Sequence, residues 1–398
     1  MTESPVSQYG SDENGKLSYT MLIRRMTAIL KAGVVKMKNE KLDKLFSSMA
    51  RPSVRSIEAY KASEPPAKFV RLMANENNLG VSPKALEAMK TVLEDGNRYP
   101  ESSCKMLREK LAARYGLKAE QILIGNGLDG VFTMFSRAFM EKGDEVVSGE
   151  LTFSIYADNA QIMGATPVPV PMKDDLSFDV DGFIRAVTEH TKMVFFCNPN
   201  NPTGTMAAQA DIVRMLDAMP AKTLFVLDEA YMDFADKPES YSFGLLAKYP
   251  NLVVARTFSK IYGLAGLRVG WVAAAPELLS YMNRVREPYG VTDISAAGAA
   301  AALDDAEFYA KSREVFLSER RSLCSFLDQL GVKYIPSQGN FVLLPLGARA
   351  ERVNKALTDA GLIVRNISFR GKQYMRITLG LPVEDEQIKA ALSKAFLD

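Results

Sequence analysis

Two polar segments of the chain each follow an apolar run that is typical of a buried strand. The segment Gly125–Gly130 fits the GxGxxG pattern and precedes a helical pattern, so amides at a helix N-terminus could bind a phosphate there. The phosphate could be that of a dinucleotide, although only Glu150 has the spacing of the acidic residue that contacts the ribose. It could also belong to another ligand, and a turn that simply requires glycine is the structural alternative.

The second segment, Leu224–Ala230, ends its apolar run on Asp228 and Glu229. A similar strand holds magnesium in P-loop ATPases, but those enzymes also need a GxxxxGK motif followed by serine or threonine. The pairs Gly15-Lys16 and Gly371-Lys372 lack the required neighbours, which excludes nucleotide hydrolysis. Because an unpaired carboxylate at the end of a buried strand is costly, Asp228 needs a cation or a hydrogen-bond donor as its partner. Glu229 is interpreted as structural.

Composition excludes several other chemistries. The 398 residues carry 49 Lys+Arg and 47 Asp+Glu, a net charge of +2, so the basic excess of a nucleic-acid binder is missing. The single histidine and the 3 cysteines cannot form a zinc site or a Ser-His-Asp triad without using that one histidine. An odd, unpatterned cysteine count favours the cytoplasm. No apolar run is long enough for a membrane span.

From residue 98 onward, apolar runs alternate with helical patterns that could position these segments. The alternation predicts parallel strands joined by crossover helices, in a large α/β domain over residues 98–300 whose mostly parallel sheet is flanked by helices. The predicted strands are Gln121–Ile124, Glu145–Ser148, Lys192–Cys197, Thr223–Leu227, Leu252–Ala255 and Val269–Ala273. The predicted helices between them include Gly130–Met140, Asp179–Val187 and Ala207–Met219.

A change of pattern after the alanine-rich segment Ile294–Leu303 predicts a smaller α+β domain over residues 301–398. Residues 46–97 are assigned to an N-terminal arm that contributes to the small domain and to a dimer. Residues 1–45 are interpreted as an extension or an extra helix, in preference to a targeting segment. The elements of the small domain are a long helix, Ala306–Leu330, apolar runs near Val332, at Phe341–Leu344, Leu362–Arg365 and Tyr374–Leu379, and a last helix after Pro382.

Several short motifs in chain order carry a family resemblance. They are Met73–Asn77, Asn97–Glu101, Thr152-Phe153, Asn201–Gly204, Asp228–Tyr231, Thr257–Lys260, Ala265–Arg268, Arg365 and Met375–Thr378. With these motifs the chain, over about residues 50–398, resembles the fold type I aminotransferases that depend on pyridoxal 5′-phosphate. It is most similar to their histidinol-phosphate aminotransferase branch. Each motif is common by chance, but their order and spacing together are specific.

The resemblance implies a role for each residue around the cofactor ring. Lys260 would form an imine with the cofactor aldehyde and move protons at the substrate α-carbon. Asp228 would keep the ring nitrogen protonated, Asn201 and Tyr231 would donate to the phenolic oxygen, and Phe153 would stack on the ring. The structural alternatives are a surface lysine, a core ion pair, a turn residue and packed aromatic residues.

The resemblance also implies a cradle for the cofactor phosphate. The GNGLDG turn would supply helix N-terminal amides, while hydroxyl groups and one guanidinium would complete the cradle. These residues are Gly127, Leu128, Asp129, Thr257, Ser259 and Arg268. Tyr99 would reach the same phosphate from the neighbouring subunit of a homodimer, and a turn tyrosine before Pro100 is its structural alternative.

Two arginines would bind the substrate anion. Arg376 matches the family's clamp, whose planar fork grips a carboxylate or phosphate, and Arg365 could join it or be a solvated strand-end residue. Asn75 lies in the family's substrate-side loop, although asparagine is also an ordinary turn former. Leu79 departs from the family because some relatives carry there a tyrosine that touches the substrate phosphate. Arg370 is closer to an ordinary surface charge.

The sequence therefore predicts a cytoplasmic, homodimeric aminotransferase that uses no metal and contacts neither nucleic acid nor membrane. Its substrates would be histidinol phosphate and 2-oxoglutarate, in histidine biosynthesis. An aromatic amino acid aminotransferase and a phosphothreonine-type decarboxylase are alternatives that would keep the same cofactor residues. An NAD-dependent dehydrogenase is a more distant alternative, because it would leave Asp228, Lys260 and Arg268 without a role. A non-catalytic module would be expected to have lost the lysine or the aspartate.

Overall fold

The computed structural model describes residues 39–59, 68–238 and 241–397. The chain divides into two units, Met1–Ile57 and Glu58–Asp398. In the first unit the described residues form helices α1 (Asn39–Met49) and α2 (Pro52–Arg55). Most of the extension predicted for residues 1–45 lies outside the described residues. Within the described part of the chain, no helix combines the length and apolar character that crossing a membrane requires.

The described residues of the second unit contain eleven strands in two sheets. They are β1 (Val70–Leu72), β2 (Ile122–Asn126), β3 (Glu145–Gly149), β4 (Thr166–Val170), β5 (Thr191–Cys197), β6 (Leu224–Asp228), β7 (Leu252–Thr257), β8 (Val269–Ala273), β9 (Phe341–Pro345), β10 (Leu362–Phe369) and β11 (Lys372–Thr378). The large sheet has the order β2-β8-β7-β6-β5-β3-β4, and the small sheet has the order β1-β10-β11-β9.

Helices separate most of these strands along the chain. They are α3 (Pro83–Leu93), α4 (Lys105–Tyr115), α5 (Gly127–Phe139), α6 (Ile155–Met163), α7 (Val180–Ala186), α8 (Gln209–Ala218), α9 (Tyr241–Leu245), α10 (Pro276–Val285), α11 (Asp293–Leu303), α12 (Ala306–Gln329), α13 (Ala350–Asp359) and α14 (Pro382–Leu397). Single turns of 3₁₀ helix lie at Ala119–Gln121, Met232–Phe234, Ala265–Leu267 and Gly347–Arg349.

The large sheet is mostly parallel, as the alternating pattern predicts, but one strand is reversed. Strand β8 pairs antiparallel with both β7 and β2. A parallel connection needs a crossover of about a dozen residues or more, usually with a helix, and only the segment 258–268 separates β7 from β8. The expectation of a parallel strand is therefore wrong for Val269–Ala273.

Both faces of the large sheet are buried. Along β5, Val194 and Phe196 join one apolar cluster, while Met193, Phe195 and Cys197 join a second cluster on the opposite face. Successive side chains of a strand point to opposite faces, so such a strand is apolar throughout when helices cover both sides. This two-sided burial explains why the central strands read as unbroken apolar runs in the sequence.

Two strands were absent from the sequence prediction, and one predicted run forms no strand. Strand β4, with the sequence TPVPV, lies at the edge of the large sheet, where proline costs no ladder hydrogen bond. Strand β1 has only 3 residues and pairs parallel with β10. Near Val332, the described chain forms only an isolated bridge between Ile335 and Leu343. Because β1 precedes the large sheet in the chain, the small sheet combines both ends of the unit. The domain boundaries stay a prediction.

Candidate active site

Polar residues converge at one edge of the large sheet. The parallel register aligns Cys197 of β5 with Asp228 of β6, and Asp228 with Ala255 of β7. The carboxyl ends of these strands therefore meet at one edge, which is where open α/β sheets bind ligands. Asn201 and Lys260 follow the ends of β5 and β7 in the chain. The fold thus brings residues that are distant in sequence to one place.

Asp228 is buried, with 3% of its surface exposed, and its partners are neutral. The Tyr156 hydroxyl donates to Oδ2 at 2.5 Å, and the Ala230 amide donates to Oδ1 at 3.0 Å. Among the described residues, no lysine or arginine forms an ion pair with this carboxylate. Desolvation raises the pKa of Asp228 to about 6, although the Tyr156 hydrogen bond lowers it. A buried carboxylate with only neutral donors can accept a cationic ligand group.

Tyr156, on α6, is a site residue that sequence reasoning missed. Its ring is fully buried and stacks on Phe195 with centroids 4.5 Å apart and planes inclined by 9°. The sequence indicates that Asp228 needs a donor, but it does not say which of the 15 tyrosines supplies the hydroxyl. The contact joins residues 72 positions apart, so no local pattern could have identified it.

Lys260 projects its amine to the loop that precedes α3. Its Nζ donates to the Ala74 carbonyl at 3.0 Å and lies 5.6 Å from the centroid of the Tyr231 ring. Desolvation lowers the pKa of Lys260 to about 8, and the positive charges of Arg376 and Arg268 act in the same direction. A substantial fraction of the amine is therefore neutral near pH 8, which is the form that attacks carbonyl carbon or accepts a proton.

Asn75 links the Tyr231 hydroxyl to Thr378 of strand β11. The Asn75 Nδ2 donates to the Tyr231 hydroxyl at 3.0 Å, and the Asn75 Oδ1 accepts from Thr378 at 2.9 Å. Only 1% of the Asn75 surface is exposed. Desolvation raises the pKa of Tyr231 to about 12, so its hydroxyl stays protonated and can donate to a ligand oxygen. The geometry therefore makes Asn75 a hydrogen-bond partner that holds the Tyr231 hydroxyl in place.

Arg376 contacts the predicted cofactor residue Asn201. Its Nη1 donates to Asn201 Oδ1, its Nη2 donates to the Met73 carbonyl at 2.6 Å, and its buried Nε has no partner among the described residues. Desolvation lowers the pKa of Arg376 to about 10. Arg365 is its direct cross-strand partner on β10 and is exposed. Two guanidinium groups therefore share one face of the small sheet.

The start of α5 forms a cradle with Arg268. The helix begins at Gly127, earlier than the predicted Gly130, so Leu128 and Asp129 lie in its first turn. The Arg268 Nη2 donates to Asp129 Oδ2 at 3.1 Å, and a Cβ atom at Gly127 would lie 2.6 Å from that nitrogen. Only glycine therefore leaves room for the guanidinium beside the helix N-terminus, where an anion is favoured.

The residues on either side of this helix N-terminus complete the cradle. The side chain of the N-cap residue Asn126 makes no capping hydrogen bond, so it leaves the first amides of α5 to another acceptor. Thr257 and Ser259 follow at the end of β7, and both are buried. The Thr257 Oγ1 accepts from the Ser259 amide at 3.0 Å, which fixes the turn after the strand. A Cβ atom at Gly270 would lie 2.6 Å from the Leu128 amide nitrogen, so glycine permits the close approach of β8.

The two remaining predicted aromatic residues, Phe153 and Tyr99, differ in exposure and in their contacts. Phe153 packs edge to face against Tyr156 at 5.8 Å between centroids, next to the Asp228 partner. Tyr99 is 81% exposed and stacks on Tyr289 at 4.6 Å. Within a single chain Tyr99 is therefore a surface residue, whereas Phe153 is half-buried and packs against Tyr156, the partner of Asp228.

Glu229 lies beside Asp228 but makes different contacts. Its Oε2 accepts from Arg256 Nε at 2.9 Å and from Arg256 Nη2 at 2.6 Å, and the Ser242 hydroxyl donates to Oε1. Desolvation raises the pKa of Glu229, while the Arg256 charge lowers it. These contacts support the interpretation of Glu229 as a structural residue. Arg370 likewise pairs with Glu150 at the surface.

Comparisons with known proteins agree with this geometry. A family model described as aminotransferase class I and II matches residues 67–394. The histidinol-phosphate aminotransferase 2 of Hydrogenovibrio crunogenus is 37% identical over 88% of this chain and 97% of its own length. The histidinol-phosphate aminotransferase of Anaeromyxobacter sp. is 39% identical over 86% of this chain and 98% of its own length.

Solved structures share the fold. The histidinol-phosphate aminotransferase of Sinorhizobium meliloti, solved in complex with pyridoxal-5′-phosphate, gives a TM-score of 0.80 at 28% identity and covers 88% of this chain and 98% of that chain. A mutant of Thermus thermophilus aspartate aminotransferase gives a TM-score of 0.74 at 21% identity, covering 87% of this chain and 99% of that chain. These likenesses confirm the predicted fold class.

Proposed function

Because the chain belongs to the aminotransferase class I and II family, whose members depend on pyridoxal 5′-phosphate, we propose that it transfers the amino group of histidinol phosphate to 2-oxoglutarate. This reaction would place it in histidine biosynthesis. The substrate assignment is supported by the names of relatives that cover most of the chain and by the paired arginines Arg365 and Arg376. The observation that carries the proposed chemistry is the buried Asp228 carboxylate, which in the described part of the chain accepts hydrogen bonds from neutral donors alone.

The site residues fit the cofactor. When bound, pyridoxal phosphate supplies an aldehyde that carries the amino group between substrates and a ring that accepts electrons from the α-carbon. Asp228 would stabilise a proton on the ring nitrogen, because a carboxylate without a cation in a buried site favours a cationic partner. Phe153 would pack on the ring. Asn201 and Tyr231 would donate hydrogen bonds to the phenolic oxygen, which the protonated Tyr231 hydroxyl can do across the physiological pH range.

The cradle at the start of α5 would hold the cofactor phosphate. Gly127, Leu128 and Asp129 form the first turn, with the amides directed by the helix, and Arg268 adds a guanidinium. Thr257 and Ser259 would add hydroxyl donors from the end of β7. The glycine-rich segment thus has a phosphate role without a dinucleotide.

Lys260 would be the catalytic base as well as the attachment point of the cofactor. An amine whose pKa is lowered to about 8 by desolvation can accept the α-proton near neutral pH and return it to another carbon. Arg376 would bind the substrate anion, since its Nε is buried without a partner among the described residues and its plane suits bidentate binding. Arg365 would add a second charge for the phosphate dianion. Asn75 would act on the substrate side through Tyr231.

The assembly and location follow as further parts of the proposal. A homodimer would give the exposed Tyr99 a place at the neighbouring subunit's phosphate cradle, and the exposure of a large aromatic ring supports such an interface. The three cysteines are free, which supports a reducing compartment such as the cytoplasm. The substrates are small molecules, an amino donor and a 2-oxo acid.

Steady-state kinetics test the substrate. We expect kcat/KM for histidinol phosphate to exceed that for phenylalanine or tyrosine, because Arg365 and Arg376 together match a dianion. Replacing Arg365 by alanine should raise KM for histidinol phosphate about tenfold or more and leave phenylalanine unaffected, since a charge-assisted hydrogen bond contributes about 1.5–3 kcal/mol. Arg370→Ala, on the same hairpin, is the matched control and should change neither constant. A preference for free aromatic amino acids would replace the proposed substrate.

An aromatic aminotransferase is the second candidate function. Leu79 supports it, because this apolar residue stands where some relatives have a tyrosine that contacts the substrate phosphate. Phosphothreonine should be tested as the substrate of the decarboxylase alternative, with release of carbon dioxide as the readout. Carbon dioxide release without amino transfer to 2-oxoglutarate would favour the decarboxylase.

A further inference from the structure

The hydroxyl of Tyr156 is the only side-chain donor to Asp228 among the described residues. It approaches Asp228 Oδ2 to 2.5 Å, and the ring that carries it is fully buried. The other carboxylate oxygen receives a backbone amide at 3.0 Å, so both oxygens are oriented from within the chain. Removing this one hydroxyl would leave the Asp228 carboxylate with a single hydrogen bond from the described residues, that of the Ala230 amide.

Aromatic packing fixes the position of the Tyr156 ring on three sides. Phe195 stacks on it, while Phe132 and Phe153 pack edge to face at 5.4 Å and 5.8 Å between centroids. A ring held in this way has one orientation, so its hydroxyl defines where the carboxylate can point. Phe153 is also the residue proposed to pack on the cofactor ring. Tyr156 therefore contacts both Phe153 and Asp228, the two residues proposed to contact that ring.

We propose that Tyr156 is a positioning residue for the cofactor ring nitrogen, because its hydroxyl fixes the Asp228 carboxylate in the orientation and ionised form that a protonated ring requires. The inference rests on the proposed function, since it assigns Asp228 to the ring nitrogen. Tyr156 itself would act only through Asp228 and would contact no reacting atom.

The charges around Asp228 explain why it needs this donor. The titratable groups that interact with it are Tyr156 of α6, Cys197 of β5, Asp129 of α5, Tyr231 and the adjacent Glu229. After desolvation, the charges of Asp129 and Glu229 also raise the pKa of Asp228, while the Tyr156 hydrogen bond and the Ala230 amide lower it. Without the hydroxyl, the pKa of Asp228 rises above about 6, and the acid keeps its proton at higher pH.

The variant Tyr156→Phe, which removes one oxygen atom and keeps the ring, tests the proposal. The matched control is Tyr262→Phe, because the Tyr262 hydroxyl is buried with no hydrogen-bond partner among the described residues. The probe is pyridoxine 5′-phosphate, which has the ring and phosphate but no aldehyde, so its binding does not depend on attachment to Lys260. Its dissociation constant would be measured on the full-length apoprotein from pH 6 to pH 8.

We expect Tyr156→Phe to weaken binding of the probe about tenfold at pH 8, the effect of losing a hydrogen bond to a charged group. The loss should grow as the pH falls to 6, because Asp228 in this variant is protonated over more of that range, and the neutral acid no longer attracts the protonated ring. Tyr262→Phe should bind as the wild type does. Equal affinities of the two variants throughout the range would overturn the proposal. A wild-type protein that fails to bind the probe would instead contradict the proposed function.

A double-mutant cycle separates positioning from packing. In the Asp228→Asn background, Tyr156→Phe should change probe affinity less than about twofold, because the carboxylate it serves is gone. An equal loss in both backgrounds would assign the effect to packing and overturn the proposal. If Tyr156→Phe does not fold, folding of the double variant Asp228→Asn/Tyr156→Phe tests the proposal instead. A folded double variant attributes the defect to the unpaired carboxylate and supports the proposal, whereas an unfolded one overturns it.

Discussion

Asp228 and Glu229 are adjacent and both are buried, but their carboxylates have different kinds of partner. Glu229 is neutralised within the chain by two hydrogen bonds from Arg256, whose own charge also lies near Asp233. Among the described residues, the Asp228 carboxylate receives hydrogen bonds only from a phenol and a backbone amide. Consecutive strand-end residues point to opposite sides, so one acid enters a closed ion pair and the other faces the site. The difference shows which negative charge remains available to a ligand.

The largest expected effect separates the two acids by activity. Asp228→Asn should lower kcat for amino transfer by about a thousandfold or more, equivalent to about 4 kcal/mol, since an amide does not stabilise a cationic ring. The fold should be retained, because an uncompensated buried charge is removed. Single-turnover kinetics would measure the rate of amino transfer, and circular dichroism would check that the fold is retained. Near wild-type turnover in this variant would remove Asp228 from the chemistry.

The second effect is a loss of stability on substitution of Glu229. Glu229→Gln should lower the free energy of unfolding by about 3–5 kcal/mol, because the Arg256 charge is left buried with a weaker partner. The double variant Glu229→Gln/Arg256→Met should recover part of this loss. Urea denaturation monitored by fluorescence would measure it. A larger stability loss in Asp228→Asn than in Glu229→Gln would reverse the comparison between the two acids.

A third effect is the pH dependence of apoprotein stability. The pKa of Asp228 is raised to about 6, so between about pH 4 and pH 6 the folded protein binds more protons than the unfolded chain. Stability therefore falls as the pH rises through this range, by about 2–3 kcal/mol from Asp228 alone. The difference in unfolding free energy between wild type and Asp228→Asn isolates this contribution. A difference that is constant from pH 4 to 7 would show that Asp228 does not titrate there.

The smallest effect concerns the phosphate cradle. Gly127 has a φ of +70°, and a Cβ atom there would meet Arg268, so Gly127→Ala should cost about 1 kcal/mol of stability and displace the guanidinium. Cofactor phosphate binding should weaken with it. Gly143→Ala, also at positive φ but with open space around the Cβ position, is the control for backbone strain alone. Equal cofactor affinities in both variants would show that the position of Arg268 does not affect binding of the cofactor phosphate.

Much of the fold could be predicted from the sequence because two-sided burial leaves unbroken apolar runs. Most central strands and the long helix α12 were located within a few residues. Strand β8 was located, but its reversed direction was not predicted, because direction depends on the connection between strands. The edge strand β4 was missed, because the sequence TPVPV is not typical of a strand. The prediction therefore worked where local composition reflects burial.

The site was predictable in part for a similar reason. Lys260, Asp228 and Arg268 lie in local motifs whose residue types match a known chemistry. The supporting contacts join distant positions, such as Asn75 with Tyr231 across 156 residues and Tyr156 with Asp228 across 72. Such pairs are created by the sheet register and by the small sheet, which no local pattern in a single sequence reports.

The central claim is that the Lys260 amine and the Asp228 carboxylate together hold pyridoxal phosphate. Borohydride reduction of the protein incubated with the cofactor, followed by peptide mass spectrometry, tests it most directly. The account predicts one stable cofactor adduct on the peptide that contains Lys260, and its absence in Lys260→Ala. An adduct on a different lysine, or no adduct in the wild type, would contradict it.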